Sequence, residues 1–330
     1  MHTMHTISRR QVLVSGLMAG VAGVFGTTRR LFAKAPQPTA KVNFDIPAGA
    51  CDCHVHVFGD PQRYPFFSGR VYTPEAASIE ELRALHDALH MDRVVVVQPS
   101  VYGTDNRCTL DAVRQLGARA RGVAVIDGNT PDAALDEMAR AGVRGIRLNL
   151  TTGGITDPAV ALQRFQAVAD RVKARNWHIQ LSTSLRIIDA LRPQLLASPV
   201  PLVFDHFGGA VGSAGVAQPG FGALVSLVKA GKAYVKISAA ADLVSTRAPD
   251  YPDVLPLARA LVSADPQRIL WGTNWPHPDS AVTPGRTSTD LAPHMQTDDG
   301  RVLNLLRVWV PDPVTRKTIL VENPARLYGF

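Results

Sequence analysis

The sequence predicts an α/β fold, a (β/α)8 TIM barrel, on three observations. Eight short runs rich in apolar and β-branched residues recur along the chain, at 50–57, 93–99, 122–127, 145–150, 178–182, 202–206, 233–238 and 269–274. The runs are apolar on both faces, as in Val94-Val95-Val96-Val97, which suits parallel strands covered on both sides, and amphipathic stretches of helical period separate them. No Gly-x-Gly-x-x-Gly turn follows the first run, so an open doubly wound sheet lacks its signature.

The chain begins with a segment expected to be removed. Residues 1–35 read as a twin-arginine signal peptide: Ser8-Arg9-Arg10-Gln11 precedes an apolar run at 12–25, and Ala33-Lys34-Ala35 offers a small-x-small cleavage site. That run is short and rich in Gly and Ala for a bilayer span. Kept instead, the segment would be an anchor flanked by Arg29, Arg30 and Lys34. Substrates of the twin-arginine export machinery cross the membrane folded, so a periplasmic location and a mature form outside the membrane are expected.

Removal changes the charge argument. Arg9, Arg10, Arg29, Arg30 and Lys34 all fall in the signal, leaving 30 of the 35 basic residues against 28 acidic ones. A nearly balanced mature chain with no basic run gives no support for nucleic-acid binding. Three cysteines, Cys51, Cys53 and Cys108, are too few for a disulfide framework. Proline-bearing residues 36–47 read as a linker, and 48–330 as a single barrel domain.

Within the barrel, helices are expected at 78–91, 110–121, 131–141, 159–175, 185–196, 221–229 and 251–264, with 302–309 and 313–320 following the last strand. Ser78 with Glu81, Thr130 before Pro131 and Asp157 before Pro158 supply their N-terminal signals. In the first strand, alternation would turn Asp52, His54 and His56 to one face and Cys51, Cys53 and Val55 to the other. Two imidazoles on one face can hold a metal, polarise a carbonyl oxygen or relay protons.

Active sites of this fold lie at the C-terminal ends of the strands. Those ends carry His54 and His56, Gln98 and Ser100, Asp127, Arg147 and Asn149, Gln180 and Ser182, His206, Lys236 and Ser238, and Asn274. Asp205 alternates away from His206 and reads as a packing residue, and His178 opens its strand at the opposite end of the barrel. His277, in Pro276-His277-Pro278, lies on a rigid loop that can aim it at the pocket.

Taken in order, Cys51-Asp52-Cys53-His54-Val55-His56, Tyr72-Thr73-Pro74, Gly145-Ile146-Arg147-Leu148-Asn149, Phe204-Asp205-His206-Phe207-Gly208 and Trp271-Gly272-Thr273-Asn274-Trp275-Pro276-His277-Pro278 resemble the amidohydrolase superfamily. The resemblance is to its branch of 2-pyrone-4,6-dicarboxylate lactonase and galactarolactone isomerase, and it covers nearly all of the mature chain. It implies an amidohydrolase-like barrel that opens a lactone. His54, His56 and His206 match histidines around the lactone carbonyl. Tyr72, Ser100 and Arg147 match residues that hold the substrate, with Ser182 and His277 as further candidates. The departures bear on substrate and mechanism. Gly153 stands where the lactonase pattern has a second arginine, Ser182 where it has a tyrosine, and Asn274 where hydrolytic members carry an aspartate base. The first two imply fewer negative charges on the substrate. The third leaves three readings: a lactone hydrolase with water placed at Asn274, a lactone isomerase by intramolecular acyl transfer, or a barrel that binds a lactone or sugar acid without turnover. No cofactor is expected. A zinc or manganese ion, if present, would use His54, His56 and His206.

Overall fold

A computed structural model describes residues 34–281 and 283–330, so the expected signal segment lies outside the described residues except for Lys34 and Ala35. The eight expected strands form one parallel sheet: β1 Cys51–Val55, β2 Arg93–Val97, β3 Ala120–Ala124, β4 Val143–Asn149, β5 His178–Ser182, β6 Leu202–Phe204, β7 Ala233–Ser238 and β8 Ile269–Gly272. Each pairs with the next in sequence order, for example Val94 opposite Asp52 and Leu270 opposite Lys236. A two-residue parallel pair, Thr73–Pro74 with Leu291–Ala292, stands apart from the barrel.

The sheet curls until β1 meets β8. The Asn274 backbone N–H donates to the His54 carbonyl at 2.9 Å and that of His56 to the Trp275 carbonyl at 2.8 Å. Below these bonds, the buried Asp52 carboxylate accepts from the Thr273 N–H (3.0 Å) and hydroxyl (2.7 Å). Gly272 makes the approach feasible: a Cβ there would stand 2.8 Å from the His54 nitrogen and 2.9 Å from its Cβ.

The register of β1 departs from simple alternation. A bulge between Asp52 and Val55 turns both Cys53 and His54 inward. Cys51 and Cys53 therefore pack inside the barrel with Val95, Val97, Val203 and Leu270. Asp52 instead lies 3.4 Å from His86 of the helix Ile79–Leu89, and Val55 joins the core between strands and helices. The expectation that Asp52 shares a face with the histidines, with both cysteines behind them, is corrected by that one bulge.

The helices follow their capping chemistry. Ser78 and Glu81 close a capping box on Ile79–Leu89, and Asp157 caps Pro158–Lys173. The helix expected at 185–196 is two, Leu185–Ala190 and Arg192–Leu196, because Pro193 cannot donate into a continuous ladder. The helix expected at 110–121 runs from Arg107 to Leu116 and stops at Gly117, whose φ is +65°. Residues 36–47 have no regular secondary structure, yet they lie fastened along the barrel. The Trp275 indole donates to the Pro36 carbonyl (2.8 Å), Asp298 accepts from Ala40 (3.0 Å), Asn304 accepts from Asn43 (2.8 Å), and Val42, Phe44 and Ile46 pack on the core. No helix among the described residues is long and apolar enough to cross a membrane.

Candidate active site

The barrel interior is layered. Above the apolar floor of Cys51, Cys53 and their neighbours lies a buried polar layer, and above that a cleft at the C-terminal mouth.

The polar layer centres on Asp205. Its Oδ2 accepts from Arg147 Nε (3.0 Å) and Gln180 Nε2 (3.1 Å), and its Oδ1 faces His54 Nδ1 (3.2 Å) and Lys236 Nζ (3.6 Å). Lys236 is wholly buried and donates to Gln180 Oε1 at 2.7 Å, with His54 Nδ1 3.3 Å away. Burial opposes charge on Asp205, but His54, Lys236 and Arg147 outweigh it and hold the carboxyl well below its usual range. Burial likewise pulls the Lys236 ammonium down, with Asp205 pulling against it. The expectation for Asp205 is corrected here. Val203 faces the interior, so two residues on Asp205 does too, and His206 joins it because a left-handed backbone (φ +50°) turns its ring back over the mouth.

Seven expected residues line the cleft: His56, Tyr72, Ser100, Arg147, Ser182, His206 and Asn274. The His56 Nδ1–H donates to the Val97 carbonyl at 2.8 Å, which can only accept, so the neutral ring presents Nε2 as a lone pair. Burial, reinforced by Arg147, drives its pKa to about 3 and keeps it neutral. His206 is held through Nδ1 by the Ser238 hydroxyl (2.9 Å), which rotates to suit either tautomer, and burial takes its pKa to about 4. Burial pushes the Tyr72 phenol up to about 12, so it stays a hydrogen-bond donor. The Asn274 amide donates to Asp242 Oδ2 at 3.1 Å, which leaves its carbonyl oxygen as the free end.

Two expected residues do not reach the cleft. His54 lies one layer down, its ring centroid 5.0 Å from that of His56 and 4.6 Å from that of His206, with Nε2 buried and unpartnered. His277 is fully buried, and its ring donates to Asp242 (2.6 Å) and Asp299 (2.9 Å). Burial alone would lower its pKa, but the two carboxylates raise it well above the usual histidine value, so it is an imidazolium. Asp242, bonded to Asn274, His277 and Thr297, links that cation to the cleft. Neither Asp242 nor Asp299 stands at a strand end, and nothing in their local sequence marked them.

For a metal, His54, Asp205 and His206 bring ligand atoms within 4.8 Å of one another, the grouping of this kind found among the described residues. Asp205 replaces His56 in the expected set. Its charge, however, is already matched by Lys236 and Arg147 within 3.6 Å.

The sequence matches the amidohydrolase family model over residues 51–330. It is similar to 4-sulfomuconolactone hydrolase of Hydrogenophaga intermedia, 35% identical over 291 residues that cover 87% of this chain and 91% of the relative. D-galactarolactone isomerase of Agrobacterium fabrum is 31% identical over 303 residues, 91% of this chain and 96% of the relative. A crystal structure described as a probable 2-pyrone-4,6-dicarboxylic acid hydrolase of Acinetobacter baumannii, with citric acid bound, superposes with a TM-score of 0.69 at 26% identity, over 86% of this chain and 100% of that one. An eight-stranded barrel with histidines of its first and sixth strands at the mouth, matched by the family from the first strand to the last residue, belongs to the amidohydrolase family.

Proposed function

We propose that this protein hydrolyses a carboxylate-bearing lactone at the barrel mouth without a divalent metal. One observation carries the reading: neutral His56 and His206 face one cleft with the Arg147 guanidinium, each in a hydrogen-bond role fixed or permitted by a partner behind it. Arg147 suits a carboxylate, meeting it with two parallel N–H groups. His206, with its Nε2 protonated, donates to the lactone carbonyl oxygen as negative charge develops there. A water held between His56 Nε2 and the Asn274 carbonyl attacks the carbonyl carbon, and His56 takes its proton. The ring C–O bond then breaks, and that proton passes to the departing alkoxide, giving the open hydroxy acid. The relatives that act on lactones support this substrate class.

The metal-free part rests on electrostatics. A divalent ion at His54, Asp205 and His206 would join two cations that already neutralise the only carboxylate of the three. The test is a panel of lactone acids with purified protein, following acid release, with metal content measured before and after chelation. Ring opening that survives chelation is the expected result. No release above background from any lactone defeats the hydrolase reading, and loss of activity on chelation defeats the metal-free one.

Asn274 favours a second reading, isomerisation between lactone forms, because an amide cannot take the proton of water but can hold a substrate hydroxyl for internal attack. Products that keep one ester while changing ring size identify it. Periplasmic export through the twin-arginine machinery is part of the proposal, supported by residues 8–13 and 33–35 alone. Fractionation of cells before and after substitution of Arg9 and Arg10 by lysine tests it.

A further inference from the structure

The cleft that carries the histidines is small, about 90 Å³, below the roughly 300–1,000 Å³ of ordinary small-molecule sites. It shares Ser100, Arg147, Asn149 and Thr152 with a larger cavity of about 540 Å³ between the strand-end loops and the helix Pro158–Lys173. Arg147 stands at the partition. Its Nε is tied to Asp205, and that is its one side-chain hydrogen bond among the described residues. The walls of the larger cavity are apolar, from Phe67, Val125, Ile126, Leu148, Leu150 and Val168. Among its charged lining residues, Asp127 and Arg164 are exposed and Arg70 is bonded to Thr73 and Phe67.

From this we infer that the larger cavity is a subsite for an apolar substituent, alkyl or aryl, carried by the substrate beyond the carboxylate that Arg147 holds. The inference rests on the lactone reading for what occupies the small cleft. A ring in the small cleft with its carboxylate at the partition directs any further substituent into the cavity, where it meets carbon rather than a second buried cation. Burial of each methylene then gains about fourfold in affinity.

The test separates binding from turnover. 3-Alkylcyclopentanecarboxylic acids from methyl to hexyl contain no ester, so calorimetry reads the subsite whether or not the protein is a lactonase. The expected result is affinity rising about fourfold per methylene over the first members. That rise is lost in Ala167→Phe, on the helix Pro158–Lys173, and in Val71→Phe, on a loop, both exposed residues that line the cavity, while the methyl compound binds as before. Affinity that stays flat with chain length overturns the inference, as does a larger gain from a terminal carboxylate than from the equivalent alkyl chain. Parallel assays on 3-alkyl lactone acids judge the lactonase reading separately.

Discussion

Lys236 places an amine at a fully buried position, and its neighbours explain how. Gln180 accepts a hydrogen bond from it and Asp205 faces it as an ion-pair partner at 3.6 Å, and Asp205 in turn is shared with Arg147 and His54, so removing one member leaves the others mismatched. Lys236→Met is expected to lower unfolding free energy by about 3–5 kcal/mol, read from urea denaturation, because it breaks a buried ion pair. It also removes the cation that competes with a metal, so zinc titration should show tighter binding to the variant than to the parent chain. Single residues were the least legible feature of the sequence. Strand-end position places Arg147, His56 and His206, whereas alternation counted from His206 misplaces Asp205. Its parity is right for the interior, and it is His206 that departs, through a backbone turn that alternation cannot foresee.

At the scale of elements, order and type could be read, and so could some boundaries: 178–182, 221–229 and 233–238 fall as expected, whereas 110–121 and 185–196 do not. The strands came from apolar runs long enough to be unambiguous, and the cap residues Ser78 and Asp157 behave as their chemistry requires. The β1 bulge escaped because two-residue alternation has no term for an extra residue, although it decides that His54 supports the cleft floor rather than lining it. The β1 to β8 seam adds a further constraint. Gly272→Ala would press a methyl into the His54 backbone, at an expected cost of about 1–3 kcal/mol in stability. The same variant should lose activity beyond its stability loss when assayed well below its melting temperature, since the strand that moves carries His56 of the mouth and His54 beneath it.

For the whole molecule, buried histidines of opposite preference shape the response to pH. Burial depresses His54, His56, His178 and His206, so on the acid side the unfolded chain binds more protons than the folded one. Their contribution is complete above the unfolded histidine pKa of about 6.5 and is lost as pH falls toward the folded values. His277 is raised, so its contribution is complete below about pH 6.5 and is lost as pH climbs through its folded value. Stability should therefore peak near neutrality and fall more steeply on the acid side, by up to about 1.4 kcal/mol per pH unit for each depressed histidine. Thermal denaturation across pH 4 to 9 checks both limbs.

The seam has a consequence in time as well as in space. Thr273 is 221 residues from the Asp52 carboxylate that receives it, with the other six strands of the sheet between them in sequence order. Contacts so distant along the chain close slowly. Because His56 and Asn274 flank that junction, a refolding chain should regain helical signal well before it regains the cleft. Catalytic competence then reports the closing of the ring, not the collapse that precedes it.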